Sequence, residues 1–85
     1  MNIEDLHKAG KIKLTDRAFW VYRFGFAYMG RMYGDAWFPY PITRIMIDTG
    51  KAKLTVRQAI SELTAEGLIE RRGENNRQIE YRVIS

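Results

Sequence analysis

The hydrophobic period of the chain changes at Gly67, and this constrains the fold more than any other feature. Before it, Val56, Ala59, Ile60 and Leu63 recur at i, i+3, i+4 and i+7, the apolar stripe of a helix. After it, Ile79, Tyr81 and Val83 alternate with Gln78, Glu80 and Arg82, the period of a strand with one wet face. Residues 68–72 read as a partner strand, and Gly73, Glu74, Asn75 and Asn76 supply turn residues suited to positive φ. Gly67 closes the helix. The second half of the chain therefore predicts a helix followed by a β-hairpin.

Two more helices are predicted upstream. Pro39 and Pro41 bracket a turn, and Pro41 suits the first position of a helix, where its missing N–H costs nothing. Ile42, Ile45, Met46 and Thr49 form the buried side of that helix, and Gly50 stops it in the left-handed conformation. Further back, Thr15 reads as an N-cap, with Asp16 placing negative charge at the positive helix end. Leu14 and Phe19 have the spacing of a hydrophobic staple. The helix runs from Asp16 to about Tyr33, with Ala18, Val21, Tyr22, Gly25, Tyr28, Met29 and Met32 as its stripe, and Gly34 and Asp35 end it. Gly25, Gly30 and Gly34 suit close helix packing. Residues 36–38 read as a short strand. Residues 1–14 are a polar N-terminal arm, strand-like at 11–14. The expected fold class is α+β, with a three-helix core and a C-terminal hairpin over residues 15–85.

At 85 residues the chain is a single domain with a modest core. It has no cysteine, so neither a disulfide nor a thiolate zinc site is available. The lone histidine, His7, lies near a terminus, Asp48, Glu62 and Glu66 are scattered over helix surfaces, and no glycine-rich phosphate loop is present. No enzymatic activity and no cofactor are therefore expected. The acidic start leads into no long apolar stretch, so no signal peptide is read. The longest charge-free apolar run, 24–30, falls far short of the ~20 residues that span a bilayer. A soluble, cytoplasmic protein is expected.

Net charge is +4, which favours a polyanionic partner. Lys51, Lys53 and Arg57 form one basic group with no intervening acid. Arg71, Arg72, Arg77 and Arg82 form a second, diluted by Glu74 and Glu80. The aromatics are as unevenly placed: all but Tyr81 lie between Phe19 and Tyr40. Three readings of that cluster are open. It can be the core and its rim, a homodimer interface with Phe19, Trp20, Phe26, Tyr28 and Trp37 as contacts, or a membrane-surface helix with Arg17, Arg23 and Arg31 as anchors.

The segment Gly50-Lys51-Ala52-Lys53-Leu54-Thr55-Val56-Arg57-Gln58-Ala59-Ile60 resembles the turn and recognition helix of GntR-type winged-helix regulators. Glu62-Leu63-Thr64-Ala65-Glu66-Gly67-Leu68-Ile69-Glu70-Arg71-Arg72 continues the pattern without a gap. The Phe38-Pro39 entry into the second helix is also similar to winged helices of phage and plasmid replication initiators. The resemblance covers about half the chain, and residues 1–37 match no pattern. It implies a winged helix-turn-helix, with the third helix in the major groove of duplex DNA and Lys53 on its backbone.

Independently of that resemblance, the face opposite the buried stripe carries Leu54, Arg57, Gln58 and Ser61. Arg57 can pair bidentately with guanine, Gln58 with adenine, and Leu54 can meet a thymine methyl. Thr55 and Ser61 can reach phosphate or a base edge, Lys51 belongs to the same basic group, and Thr43 and Arg44 can hold phosphates. Arg72, Asn75, Asn76 and Arg77 can track the backbone or enter a minor groove. The competing reading of Arg71 and Arg72 is a strand pair bridged to Glu70 or Glu80. Where the regulators often carry Ser or Thr as helix cap, this chain has Ala52, and Thr55 with Gln58 offers a later start with capping-box spacing. A later start would take Leu54 out of the helix.

The function expected is sequence-specific duplex DNA binding, by a small dimeric repressor or a plasmid- or phage-type partition or replication regulator. A dimer or cooperative array on DNA would enlarge a small footprint, and no small-molecule effector is expected. The rival is a winged-helix protein-interaction module that uses the aromatic region 19–40.

Overall fold

The computed structural model describes residues 14–73 and 79–84. Thr15 starts the first helix, its side-chain oxygen accepting from the Ala18 N–H at 3.3 Å. Helix α1 (Asp16–Val21) passes into a π-helical segment (Tyr22–Phe26) and then into α2 (Ala27–Tyr33), with right-handed helical backbone at both junctions. The expected helix over 16–33 is thus one continuous rod with a widened turn at its middle. That turn lies against the next helix. A Cβ on Gly25 would stand 3.2 Å from the Tyr40 hydroxyl and 3.3 Å from a Thr49 methyl, so a larger residue there would press on both side chains.

Strand β1 (Phe38–Pro39) follows, starting two residues after and ending one residue after the strand expected at 36–38. As an edge strand it tolerates Pro39, which has no N–H to offer a neighbour. Helix α3 (Ile42–Thr49) has Pro41 as its N-cap rather than its first residue, and ends at Gly50 in the left-handed conformation, φ 70°. Helix α4 (Lys53–Ala65) follows after a tight turn. Strands β2 (Ile69–Arg72) and β3 (Glu80–Val83) complete an antiparallel sheet of order β1-β3-β2. The register pairs Phe38 with Tyr81, Ile69 with Val83 and Arg72 with Glu80.

The core collects the predicted stripes. Val56, Ala59, Ile60 and Leu63 are all buried, as are Ile45 and Thr49 from α3. Phe26 is fully buried and packs edge-on against Tyr40 and Tyr81, with ring centroids 5.3 and 5.2 Å away. The central strand comes close to the first helix, since a Cβ on Gly30 would lie 3.0 Å from that of Val83. Glu62 of α4 fastens the start of α1, accepting from the Thr15 hydroxyl and from Arg17 Nε at 3.0 Å. The described residues thus form an α+β domain of three helices and a three-stranded antiparallel sheet. None of the described helices is long and apolar enough to cross a membrane.

Candidate nucleic-acid interface

The turn between α3 and α4 is braced by the first helix. The Trp20 indole N–H donates to the Thr49 carbonyl at 2.8 Å, and the Thr49 hydroxyl donates to the Ile45 carbonyl at 2.7 Å. The Lys51 ammonium sits over the Trp20 ring, 4.8 Å from its centroid. Trp20 and Lys51, assigned from sequence to a dimer interface and to DNA, therefore meet each other. Their contact lies at the turn from which α4 leaves. Sequence reasoning missed this brace because its partners are 29 residues apart.

Helix α4 begins at Lys53, so the later start at Thr55 is not found. Ala52 is the N-cap, with φ −70° and ψ 159°, and offers no side-chain acceptor. Leu54 consequently belongs to the helix and is 67% exposed. Leu54, Arg57, Gln58 and Ser61 all face solvent, and Thr55 is half-buried. Among the described residues, Lys53 and Arg57 have neither a carboxylate nor a ring partner.

Beside this face lies an open groove of about 800 Å³. Pro41, Ile42 and Thr43 line it from the start of α3, Lys53 and Arg57 from α4, and Arg72 and Gly73 from the end of β2. Its apolar lining comes from Tyr40, Met46, Ile79 and Tyr81. Glu80 is the one acid among its lining residues, and Arg72 neutralises it at 2.9 Å. Thr43, Lys53, Arg57 and Arg72 are thus brought together around one cationic groove.

Other sequence candidates lie elsewhere. Arg44 is ion-paired with Asp48 at 3.2 Å and lines a separate groove, of about 560 Å³, with Phe24, Tyr28, Met29 and Met32. Asp48 also accepts from the Tyr40 hydroxyl at 2.6 Å. Burial pushes the Tyr40 phenol far up, and the bond to Asp48 pushes it further, so it stays a donor. Arg72 is less free than its place at the groove suggests. Its Nε donates to Glu80 at 3.0 Å and its guanidinium lies 4.4 Å from the Trp37 ring centroid. Arg82 covers the same ring at 4.8 Å and pairs with Glu70 at 2.8 Å. The bridged-strand reading therefore describes Arg72, and Trp37 is a half-buried platform for two guanidiniums. Asn75, Asn76, Arg77 and His7 lie outside the described residues.

The proposed dimer contacts also need correction. Phe26 is a core residue, because the widened turn rotates it inward onto Tyr40 and Tyr81. Phe19 is half-buried. Tyr28 is exposed as expected, and Phe24, Met32 and Tyr33 join it. The signal for Phe24 and Met32 was their spacing of four from Tyr28. No group of three or more His, Asp or Glu side chains among the described residues is placed to hold a metal.

No family model, curated protein or solved structure matches the chain.

Proposed function

We propose that this chain is a winged helix-turn-helix protein that binds double-stranded DNA, as a small transcription repressor or a plasmid- or phage-type partition or replication regulator. The observation that carries the proposal is the first half of α4, where Lys53, Leu54, Arg57 and Gln58 are exposed and both cations are unpaired among the described residues. A helix of this kind fits a major groove, with its N-terminal residues at the base edges. The groove beside it, rimmed by Thr43, Lys53, Arg57 and Arg72, supports a phosphate strand flanking that helix. The order of three helices followed by a hairpin supports the winged-helix assignment. Binding weakens as salt rises, because neutralised phosphates release counterions.

The test starts from duplexes selected out of a randomised pool at near-physiological salt. Anisotropy then measures binding of the intact chain and of a double variant, Arg57→Ala with Gln58→Ala. Loss of one base-reading arginine costs about 1–3 kcal/mol, roughly 5- to 150-fold in affinity. A folded double variant that binds selected duplex like the parent refutes the site. The exposed face of Phe24, Tyr28 and Met32 favours a second reading, a protein-interaction module that keeps the fold without DNA. That reading predicts no enrichment from the pool.

A further inference from the structure

We infer that the first helix pairs with the same helix of a second copy, antiparallel, along a face made by Trp20, Phe24, Tyr28 and Met32. In an unbroken α-helix, residues four apart advance by about 40° per step, so a line of four such residues would wind around the rod. The π-helical segment Tyr22–Phe26 interrupts that winding. Its i→i+5 bonding puts more residues in each turn and rotates the later positions back, so the line becomes a stripe. The four side chains are 42%, 44%, 57% and 60% exposed in that order. Trp20 and Phe24 are already in contact, with ring centroids 4.4 Å apart.

The area of this face suits a dimer. Aromatic side chains have ~150–250 Å² to bury, so these exposures leave about 400 Å² of largely apolar surface per copy. That matches the largest apolar patch of a typical small protein, about 300–600 Å², which often marks a contact. Two copies bring ~800 Å², and the walls of the neighbouring groove add to it, towards the ~1,000 Å² expected of a biological interface. Those walls include Met29, Pro39 and Pro41, with Arg44 and Asp48 as an ion pair. The charges of the groove wall cancel as the Arg44–Asp48 pair, while Lys51 over Trp20 and Arg23 over Phe24 flank one end of the stripe with cations. The stripe is also symmetric about the midpoint between Phe24 and Tyr28. Reversing it sets Phe24 against Tyr28 of the second copy, and Trp20 against Met32 of the second copy, which is the self-complementarity that a two-fold contact requires.

The pairing does not depend on the DNA reading, and sedimentation of the intact chain without DNA tests it alone. The expected result is a dimer at micromolar concentration that persists in high salt, and a monomer for Tyr28→Glu or Met32→Lys with unchanged far-ultraviolet dichroism. Both side chains are exposed, so neither change threatens the core. A monomeric parent protein, or a dimer that both variants keep, overturns the inference. Orientation is tested by cysteine pairs, which the cysteine-free sequence makes unique. A mixture of F24C and Y28C chains is expected to form a mixed disulfide. M32C is expected not to link to itself, because the two copies of that position lie roughly 18 Å apart along the helices, beyond disulfide reach. Rapid self-linking of M32C overturns the antiparallel arrangement.

Discussion

Ala52 occupies an N-cap without being able to act as one, and replacing it with serine should stabilise the protein. Its backbone, φ −70° and ψ 159°, already has the extended conformation that a capping residue needs, so no rearrangement opposes the change. Ala52 is exposed, so no packing is lost. A serine oxygen there can accept one of the unpaired N–H groups in the first turn of α4, a gain of about 1 kcal/mol. In a domain of this size that raises Tm by roughly 4–8 °C. Ala52→Asp should stabilise at least as much, because the first turn carries no acidic residue to meet the helix dipole. The two variants then part company on DNA. Serine leaves the charge of the α4 start unchanged, whereas aspartate sets a negative charge beside Lys51 and Lys53. Urea unfolding and duplex anisotropy, run on the same three proteins, give both readouts. Ala52→Asp that is stabilised yet binds duplex as tightly as Ala52→Ser would refute the placement of the α4 start at DNA. Neither variant being stabilised would refute the cap.

Two further outcomes follow from the contacts of the first helix. Burial acts to raise the Glu62 carboxyl, but the Thr15 hydroxyl and the Arg17 guanidinium outweigh it and hold the group below its ordinary value of 4.5. The folded protein therefore resists protonation of Glu62 more than the unfolded chain does, so the stabilisation is present above pH 4.5 and is lost as pH falls below it. Urea midpoints followed into acid should fall less steeply for Glu62→Gln, and an unchanged acid limb would exclude the contact. Trp20→Phe keeps an aromatic ring but removes the donor to Thr49, at a cost of about 0.5–1.5 kcal/mol. Duplex affinity should fall with it if the brace orients α4, and a variant as stable as the parent would show that the indole bond contributes nothing.

The start of the first helix and the ends of the helices were legible because each is written in one local residue, whereas the start of α4, capped by Ala52, was not. Thr15 caps, and Gly34, Gly50 and Gly67 stop, the last three with the positive φ that disfavours a side chain. The buried stripe of α4 was equally plain, since one apolar face at helical spacing admits one reading. The first helix was harder. With aromatics on nearly every side, a period of 3.6 cannot say which ones face inward, and the π-helical segment shifts the phase halfway along. Phe26 was misplaced for that reason. The widened turn itself goes with the close approach of Gly25 to Tyr40 and Thr49, a tertiary contact that leaves no local trace. The neighbours of Trp37 left no local trace either, because they are set by strand register, which brings Arg72 beside Glu80 and Glu70 beside Arg82.

The arginines therefore divide by what already holds them. Arg17, Arg44, Arg72 and Arg82 are neutralised by Glu62, Asp48, Glu80 and Glu70 within the fold. A phosphate could recruit any of these only by displacing a carboxylate already in place, and for Arg72 and Arg82 also by weakening the contact with Trp37. Lys53 and Arg57 meet no such competition among the described residues, and they stand a turn apart at the start of α4. The net charge of +4 is thus a poor measure of the cations open to a polyanion, of which Lys53 and Arg57 stand together on α4. A grip by two cations is weak per copy. If few phosphates are neutralised per copy, the logarithm of affinity falls only shallowly with the logarithm of salt, by about 0.9 per phosphate. Pairing through the aromatic stripe would double the number of such contacts without adding a cation to the chain. On this view the two unusual features of the sequence, a short basic helix start and an aromatic first helix, have one physical cause: a small module reaches useful affinity by acting as two.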